Sequence, residues 1–134
     1  MSAYLAVLRR YAEFSGRSTR KEFWTFMLVH VVVLLLWFVA LVATAENETL
    51  SASITVPGVL YVVATLVPEL AVRVRRLHDT GRSGWWLLLA VVPLIGPVVL
   101  LVFLCQASES GANAYGPHCE DFASATLEAG TRAA

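Results

Sequence analysis

The sequence Arg73-Val-Arg-Arg-Leu-His-Asp-Thr-Gly-Arg-Ser-Gly-Trp-Trp86 separates two long apolar runs, and the rest of the fold follows from it. It holds four of the chain's ten Lys and Arg residues: Arg73, Arg75, Arg76 and Arg82. A basic cluster is costly inside a bilayer and favourable at its inner surface, where anionic lipids attract it. The stretch therefore predicts a segment at a membrane surface, with Trp85 and Trp86 in the interfacial belt.

The composition also indicates a membrane protein. Of the 134 residues, 57% are hydrophobic and only 15% are charged, whereas a soluble domain usually has about 25% charged residues. The apolar residues occur in blocks, which indicates membrane spans. The formal net charge is zero and so indicates no class of partner. Two cysteines are too few for a disulfide framework. We expect no cleavable signal peptide, because the first apolar run is too long for one.

Three apolar runs have the length of membrane spans, and they cover residues 23–45, 54–72 and 85–104. The first would extend about 34 Å as a helix, which is enough to cross a bilayer with some tilt. Thr19 and Glu22 predict a capping box at the start of that helix. We therefore predict an all-α integral membrane protein with three transmembrane helices. Residues 1–118 would form a single membrane domain, and residues 119–134 a flexible tail.

A short amphipathic helix is predicted before the first span, over residues 3–14. Its apolar residues recur at helical spacing on one face, opposite Arg9, Arg10 and Glu13. Such a helix can lie in the membrane interface, or it can dock on the protein's own spans. The pattern favours neither placement over the other, and the predicted fold takes the helix as interfacial.

The third apolar run is interrupted at mid-depth by Pro93-Leu-Ile-Gly-Pro97. We favour a single span that is kinked at the prolines. The alternative is a re-entrant hairpin of two half-helices, which requires protein to cover the broken backbone. The two models differ in the side of the membrane on which residues 105–134 emerge.

The distribution of basic residues predicts the orientation. Residues 1–22 contain five Lys and Arg residues, residues 46–53 none, residues 73–84 four and residues 105–134 one. The positive-inside rule therefore places the N-terminus and the 73–84 segment in the cytoplasm. The C-terminal tail would lie outside in the three-span model and in the cytoplasm in the hairpin model.

Two ionisable side chains lie within the predicted spans. Glu69 is spaced i,i+4 from Arg73 in the favourable order, and Arg75 and Asp79 form a second such pair. We predict that Glu69 is ionised and paired with Arg73. His30 is either neutral and hydrogen-bonded to a neighbouring helix, which we favour, or part of a proton relay.

Several motifs occur together in a fixed order: Tyr11-x-x-Phe-x-Gly-Arg17, Arg20-Lys-Glu-Phe-Trp24, Arg75 to Trp86, Pro93-x-x-Gly96 and Tyr115-Gly-Pro117. This set resembles the bacterial inner-membrane proteins grouped as domain-of-unknown-function family 805, over about residues 4 to 118. The resemblance implies a small polytopic plasma-membrane protein and lends no activity, substrate or catalytic residue. The chain departs from the family pattern at Ala114, at His118 and Cys119, and at Glu69, where a small residue is usual.

Seven basic residues are candidates for a site that binds anionic lipid head groups or another interaction partner: Arg17, Arg20, Lys21, Arg73, Arg75, Arg76 and Arg82. The competing interpretation is structural, with the charges neutralised as the helices leave the membrane. Six further residues are interpreted as a structural motif: Glu69, His78, Asp79, Gly84, Trp85 and Trp86.

An enzyme is not expected. His78 and Asp79 are adjacent on a helix and so point about 100° apart, which does not suit a catalytic dyad. In the three-span model, His118 lies across the membrane from them, so we expect no metal site and no cofactor. The predicted function is a non-catalytic membrane interaction or scaffold module whose basic cytoplasmic face binds anionic lipid. The alternative is a subunit of an oligomeric transporter or channel. Expected partners are the bilayer and its anionic head groups, with a second copy or another membrane protein as further candidates, and not nucleic acid.

Overall fold

The computed structural model describes residues 3–117, which are helical apart from loops and an isolated β-bridge between Asn113 and Gly116. The helices are α1 (Ala3–Arg9), α2 (Arg20–Ala43), α3 (Glu48–Asp79), a 3₁₀ helix (Gly84–Val91) and α4 (Ile95–Cys105). The all-α prediction is therefore confirmed over this range. The tail predicted over residues 119–134, together with His118, lies outside the described residues.

Two helices, α2 and α3, are long and apolar enough to cross a membrane. They contain 24 and 32 residues, or roughly 36 and 48 Å at the rise of an α-helix. In the most apolar 18-residue window of each helix, only 11% of the residues are buried by the rest of the protein. Most of their apolar surface is therefore left for a surrounding apolar medium.

The capping box predicted at the start of α2 is confirmed. The backbone N–H of Glu22 donates to the Thr19 hydroxyl at 3.2 Å, and the Glu22 carboxylate accepts from the backbone N–H of Thr19 at 3.3 Å. In the turn between α2 and α3, the side chain of Asn47 caps α3 by accepting from the N–H of Leu50 at 3.1 Å. The segment between the first two predicted spans, residues 46–53, is shorter than expected, because α3 begins at Glu48.

The N-terminal helix is shorter than the predicted 3–14, because α1 ends at Arg9. It packs on the protein's own helices: Val7 is buried, and the Tyr4 ring stacks on Phe26 of α2 with centroids 5.4 Å apart. This agrees with the docked alternative. It also places part of the core where α1, the spans and α4 meet, formed by Val7, Phe23, Phe26, Val72, Leu77 and Leu104.

The third apolar run differs from the favoured prediction of one kinked span over residues 85–104. It is divided into the 3₁₀ helix and α4, which are joined at Leu94 with a positive φ of 66°. The 11 residues of α4 extend only about 16 Å, roughly half the hydrocarbon thickness. A third span is therefore not confirmed, and the two arms fold back on each other.

Glycine makes the close contact between these two arms feasible. A Cβ built on Gly96 would overlap the backbone carbonyl of Leu89 in the other arm. The turn also satisfies most of its own donors, because Pro93 and Pro97 have no N–H. The N–H groups of Ile95 and Gly96 donate to the carbonyls of Pro93 and Val92 at 2.8 and 3.0 Å. A broken backbone arranged in this way meets the requirement of an apolar environment.

Candidate functional site at the basic end

The basic residues of the sequence converge on one end of the α2–α3 pair, which we call the basic end. It comprises the α1–α2 loop, the last turns of α3 with the 80–83 turn, and residues 106–117. Gly81 ends α3 in the left-handed conformation with φ of 72°. The N–H of Gly81 donates to the His78 carbonyl at 3.0 Å, and that of Arg82 to the Leu77 carbonyl at 2.9 Å, as in a glycine C-terminal cap.

A buried ion pair joins the α1–α2 loop to the end of α3. The Arg17 Nε lies 2.9 Å from Asp79 Oδ1, and the two side chains are 1% and 0% exposed. The remaining Arg17 donors reach the carbonyls of Glu109 and Gly111, both at 2.6 Å. Arg17 therefore ties three distant segments of the chain together.

A second guanidinium, that of Arg76, completes this cluster. It pairs with the other carboxylate oxygen of Asp79 and donates to the Leu104 carbonyl at 3.0 Å and to the Gln106 carbonyl. The Ser108 hydroxyl also donates to Asp79. Fully buried charges are tolerated only when they are paired and hydrogen-bonded. We call Arg17, Arg76, Asp79 and Ser108 the arginine clasp.

The arginine clasp changes the interpretation of the candidate lipid site. Arg17, Arg75 and Arg76 are 5%, 1% and 0% exposed, so they face the protein interior and not a membrane surface. The pair of Asp79 with Arg76 uses i,i+3 spacing, and the pair predicted between Arg75 and Asp79 stays a prediction.

The other candidate basic residues remain accessible. Lys21 and Arg20 are exposed, and Arg20 also donates to the Gln106 carbonyl at 2.8 Å. Arg73 is half-buried, and so is Arg82, whose guanidinium lies 4.1 Å from the centroid of the Phe103 ring. The structure therefore divides the seven candidates into an internal group and an accessible group of Arg20, Lys21, Arg73 and Arg82.

His78 lies beside the arginine clasp and is half-buried. Its ring stacks on Tyr115 with centroids 3.8 Å apart and planes at 4°, and its Nδ1 lies 3.2 Å from the Gly16 carbonyl oxygen. Burial lowers the pKa of His78 below its usual value of 6.5, although the Gly16 carbonyl opposes the shift. The amide of Asn113 donates to the His78 carbonyl at 2.9 Å, so the Asn113–Pro117 turn forms part of the basic end.

The remaining motif residues shape the entry to the 3₁₀ helix. Gly84 packs closely on Val74, where an added Cβ would come within 3.0 Å of its side chain. Trp85 is 78% exposed, and Trp86 packs edge-on against Phe103 at 5.4 Å between centroids. Both rings therefore lie at the surface of the protein, as the interfacial-belt prediction requires.

A second polar cluster lies deeper, between α2 and α3. The predicted pair is present, with Arg73 donating to one oxygen of Glu69, while the other oxygen lies 3.8 Å from His30 Nε2. His30 Nδ1 is 3.2 Å from the Tyr61 hydroxyl. The sequence analysis identified His30 and Glu69 but not Tyr61, although its spacing of eight residues from Glu69 places both on one helical face.

No group of three His, Cys, Asp or Glu side chains suited to a metal ion occurs among residues 3–117. The sequence analysis also missed the acceptors of the arginine clasp, because backbone carbonyls and Ser108 carry no sequence signal. Tyr115-Gly-Pro117 was identified as part of the motif set, but to place it next to His78 would have required knowing that the third run folds back.

Comparison with known proteins finds a matching family model and similar inner membrane proteins. The model of the family described as Protein of unknown function (DUF805) matches residues 11–117. The chain is 47% identical to inner membrane protein YhaI of Escherichia coli K12 over 117 residues, which is 87% of this chain and 93% of that protein. It is 38% identical to inner membrane protein YhaH of the same strain, over 87% of this chain and 95% of that protein. No solved structure matches the chain.

Proposed function

This chain belongs to the DUF805 family of bacterial inner membrane proteins, and we propose that it acts there as a non-catalytic interaction or scaffold module. Its basic end would lie in the cytoplasm and contact anionic lipid. The observation that carries the proposal is the division of the basic residues. The internal group is buried and stabilises the fold, and the accessible group lies at the surface of the same end.

The proposed topology has two spans, α2 and α3, and a re-entrant hairpin formed by the 3₁₀ helix and α4. The arginine clasp supports it, because Arg76 binds the carbonyls of Leu104 and Gln106 at the C-terminal end of α4. These residues therefore lie on the same side as the end of α3. The N-terminus and residues 106–117 would both be cytoplasmic, while the turn that carries Glu46 and Glu48 would face outwards.

Lipid contact is proposed for the accessible group alone. Lys21 and Arg20 lie in the first turn of α2, where the helix would leave the membrane. Each Lys or Arg near an anionic surface contributes about 1 kcal/mol of attraction. The charge of Arg73 is partly neutralised by its ion pair with Glu69. Lipid retention should therefore depend most on Lys21 and Arg20.

Quantification of co-purified lipid tests this proposal. Lys21→Gln with Arg20→Gln should lower the retention of phosphatidylglycerol relative to phosphatidylcholine by roughly fivefold or more, since 1 kcal/mol corresponds to about that factor. Glu46→Gln with Glu48→Gln is the matched control at the opposite end and should not lower it. Equal selectivity in the wild type and the Lys21/Arg20 variant would overturn the lipid contact.

The polar cluster between the spans favours a second candidate, a subunit of an oligomeric transporter or channel. Ionisable groups inside a membrane commonly mark ion pathways, and His30, Tyr61 and Glu69 are in contact across two helices. Two spans cannot enclose a pore, so this candidate needs several copies. Native mass spectrometry from a mild detergent tests it: a stable oligomer would support it, and a monomer at all protein concentrations would remove it.

A further inference from the structure

A cavity of about 450 Å³ lies beside the start of the 3₁₀ helix, and none of the accessible basic residues lines it. It is lined by Phe14, His78, Ser83, Gly84, Trp85, Leu87 and Leu88. Phe14 and Trp85 are 43% and 78% exposed, so two aromatic side chains at the protein surface form part of the lining. Its walls are apolar except where His78 and Ser83 contribute.

His78 supplies a hydrogen-bond acceptor to this cavity. The Gly16 carbonyl can only accept, so the Nδ1 atom 3.2 Å away carries the ring proton. The lowered pKa of His78 keeps the ring neutral at pH 7. The lone pair of the neutral ring is therefore on Nε2, which has no hydrogen-bond partner within residues 3–117.

Ser83 supplies a donor. Its Oγ accepts from the backbone N–H of Trp85 at 3.4 Å, which leaves the hydroxyl proton available for another acceptor. The cavity thus presents one acceptor, one donor and an apolar wall. The two polar groups distinguish it from a simple apolar groove, because each needs a complementary group on whatever fills the cavity.

We propose that this cavity binds the head group of a phospholipid with a primary ammonium, as in phosphatidylethanolamine. The ammonium would donate to His78 Nε2, a phosphate oxygen would accept from Ser83, and the glycerol region would lie against Leu87 and Leu88. A charge-assisted hydrogen bond is stronger than a neutral one, which favours the ammonium over a hydroxyl. A choline head group has no N–H and cannot make this bond. The proposal rests on the membrane placement given above.

Competition between lipids of identical acyl chains tests the assignment. Delipidated full-length protein would be offered equal amounts of phosphatidylethanolamine, phosphatidylglycerol and phosphatidylcholine, and bound lipid would be counted by native mass spectrometry. Phosphatidylethanolamine should exceed phosphatidylcholine roughly tenfold, the ratio that a gain of about 1.4 kcal/mol produces. His78→Leu should reduce the ratio to about one, whereas His78→Gln, which keeps an acceptor and a donor, should retain most of it.

Two further variants keep the test interpretable if His78→Leu does not fold. Leu88→Trp fills the cavity and leaves His78 in place, so it should abolish bound phosphatidylethanolamine, whereas Glu48→Gln at the opposite end of the protein should leave the ethanolamine-to-choline ratio unchanged. A wild-type ratio near one, an unchanged ratio in His78→Leu, or retention in Leu88→Trp would overturn the proposal. In the variant with Lys21→Gln and Arg20→Gln, where phosphatidylglycerol retention at the basic surface is removed, phosphatidylglycerol bound as well as phosphatidylethanolamine would overturn the ammonium assignment. A wrong membrane placement would instead appear as labelling of residues 106–117 from outside the cell.

Discussion

The Tyr11 hydroxyl donates to the carbonyl of Ala64 at 2.7 Å, and Pro68 is the residue that leaves this carbonyl without its helical donor. In an α-helix the N–H of residue 68 would bind the carbonyl of residue 64, and proline has none. A free carbonyl is costly in an apolar environment. Tyr11, in the loop after α1, thus completes the hydrogen bonding of α3 at a residue 53 positions away in sequence.

Tyr11→Phe should therefore destabilise the protein by about 1 kcal/mol, the usual net contribution of such a hydrogen bond. The effect should depend on Pro68. In a Pro68→Ala background the helix regains its own N–H, so Tyr11→Phe should cost clearly less there. Thermal unfolding in detergent of the four proteins measures the coupling. Equal costs in both backgrounds would show that the bond is not a replacement for the missing helical donor.

The two long apolar helices and the capping box of α2 could be predicted because their signals are local. The Thr19–Glu22 capping box and the apolar run after it depend on residues within one or two turns. The hairpin could not be separated from a kinked span by such signals. Its direction depends on contacts of Arg17 and Arg76 with backbone carbonyls at and after the end of α4, over sequence separations of 28 to 94 residues. No residue pattern encodes a backbone acceptor.

For a related reason, the sequence predicts the location of the basic residues of the candidate site but not which of them are buried. The sequence correctly places the basic residues at one end of the helices, because charge is excluded from the spans. It does not distinguish a buried guanidinium, as in Arg76, from an accessible ammonium, as in Lys21. That difference depends on whether enough acceptors converge on the charge, which is a property of the tertiary structure.

Loss of Asp79 should be among the most damaging single changes in the chain. Asp79→Asn leaves the buried guanidiniums of Arg17 and Arg76 without their carboxylate, and breaking a buried pair from one side typically costs about 3–5 kcal/mol. The exposed pair Arg10–Glu13 is the control: Glu13→Gln should cost less than about 1 kcal/mol. Unfolding temperatures in detergent compare the two. Similar small losses would mean that the arginine clasp contributes little to stability.

The hairpin topology predicts where residues after α4 can be labelled. Ser110 is exposed at the basic end. In a chain with Cys105 and Cys119 replaced by Ser, Ser110→Cys should react with an impermeant maleimide only after spheroplasts are lysed. Glu46→Cys, in the turn between the spans, should react in intact spheroplasts. Labelling of Ser110→Cys in intact spheroplasts would instead support a third span and a tail outside.

His78 should make stability depend on pH in a defined direction. Burial lowers its pKa in the folded protein below 6.5, so on acidification the unfolded chain binds the proton first. Stability should therefore fall as the pH decreases below about 6.5, until the folded-state pKa is passed. His78→Gln should weaken this dependence. An unfolding temperature of the wild type that rises on acidification over the same range would contradict the assignment of His78 as neutral.

Glu69 is the central residue of the polar cluster between α2 and α3, because both Arg73 and His30 contact its carboxylate. Arg73 binds one oxygen, and His30 Nε2 lies 3.8 Å from the other. The side chains of Glu69 and Arg73 are 17% and 36% exposed, so the pair is only partly buried and Arg73 can extend towards water.

Glu69→Ala should for that reason cost about 1–2 kcal/mol and not the larger penalty of a fully buried pair. Adding Arg73→Leu should recover much of the loss, because the uncompensated guanidinium is then removed. His30→Gln, which preserves a hydrogen-bonding partner for Tyr61, should cost less than Glu69→Ala, since its contact with Glu69 is longer than a hydrogen bond. Thermal unfolding of the singles and the double measures the coupling. If the stability loss of the double variant equals the sum of the losses of the two single variants, Glu69 and Arg73 are not coupled. The carboxylate of Glu69 would then interact mainly with His30.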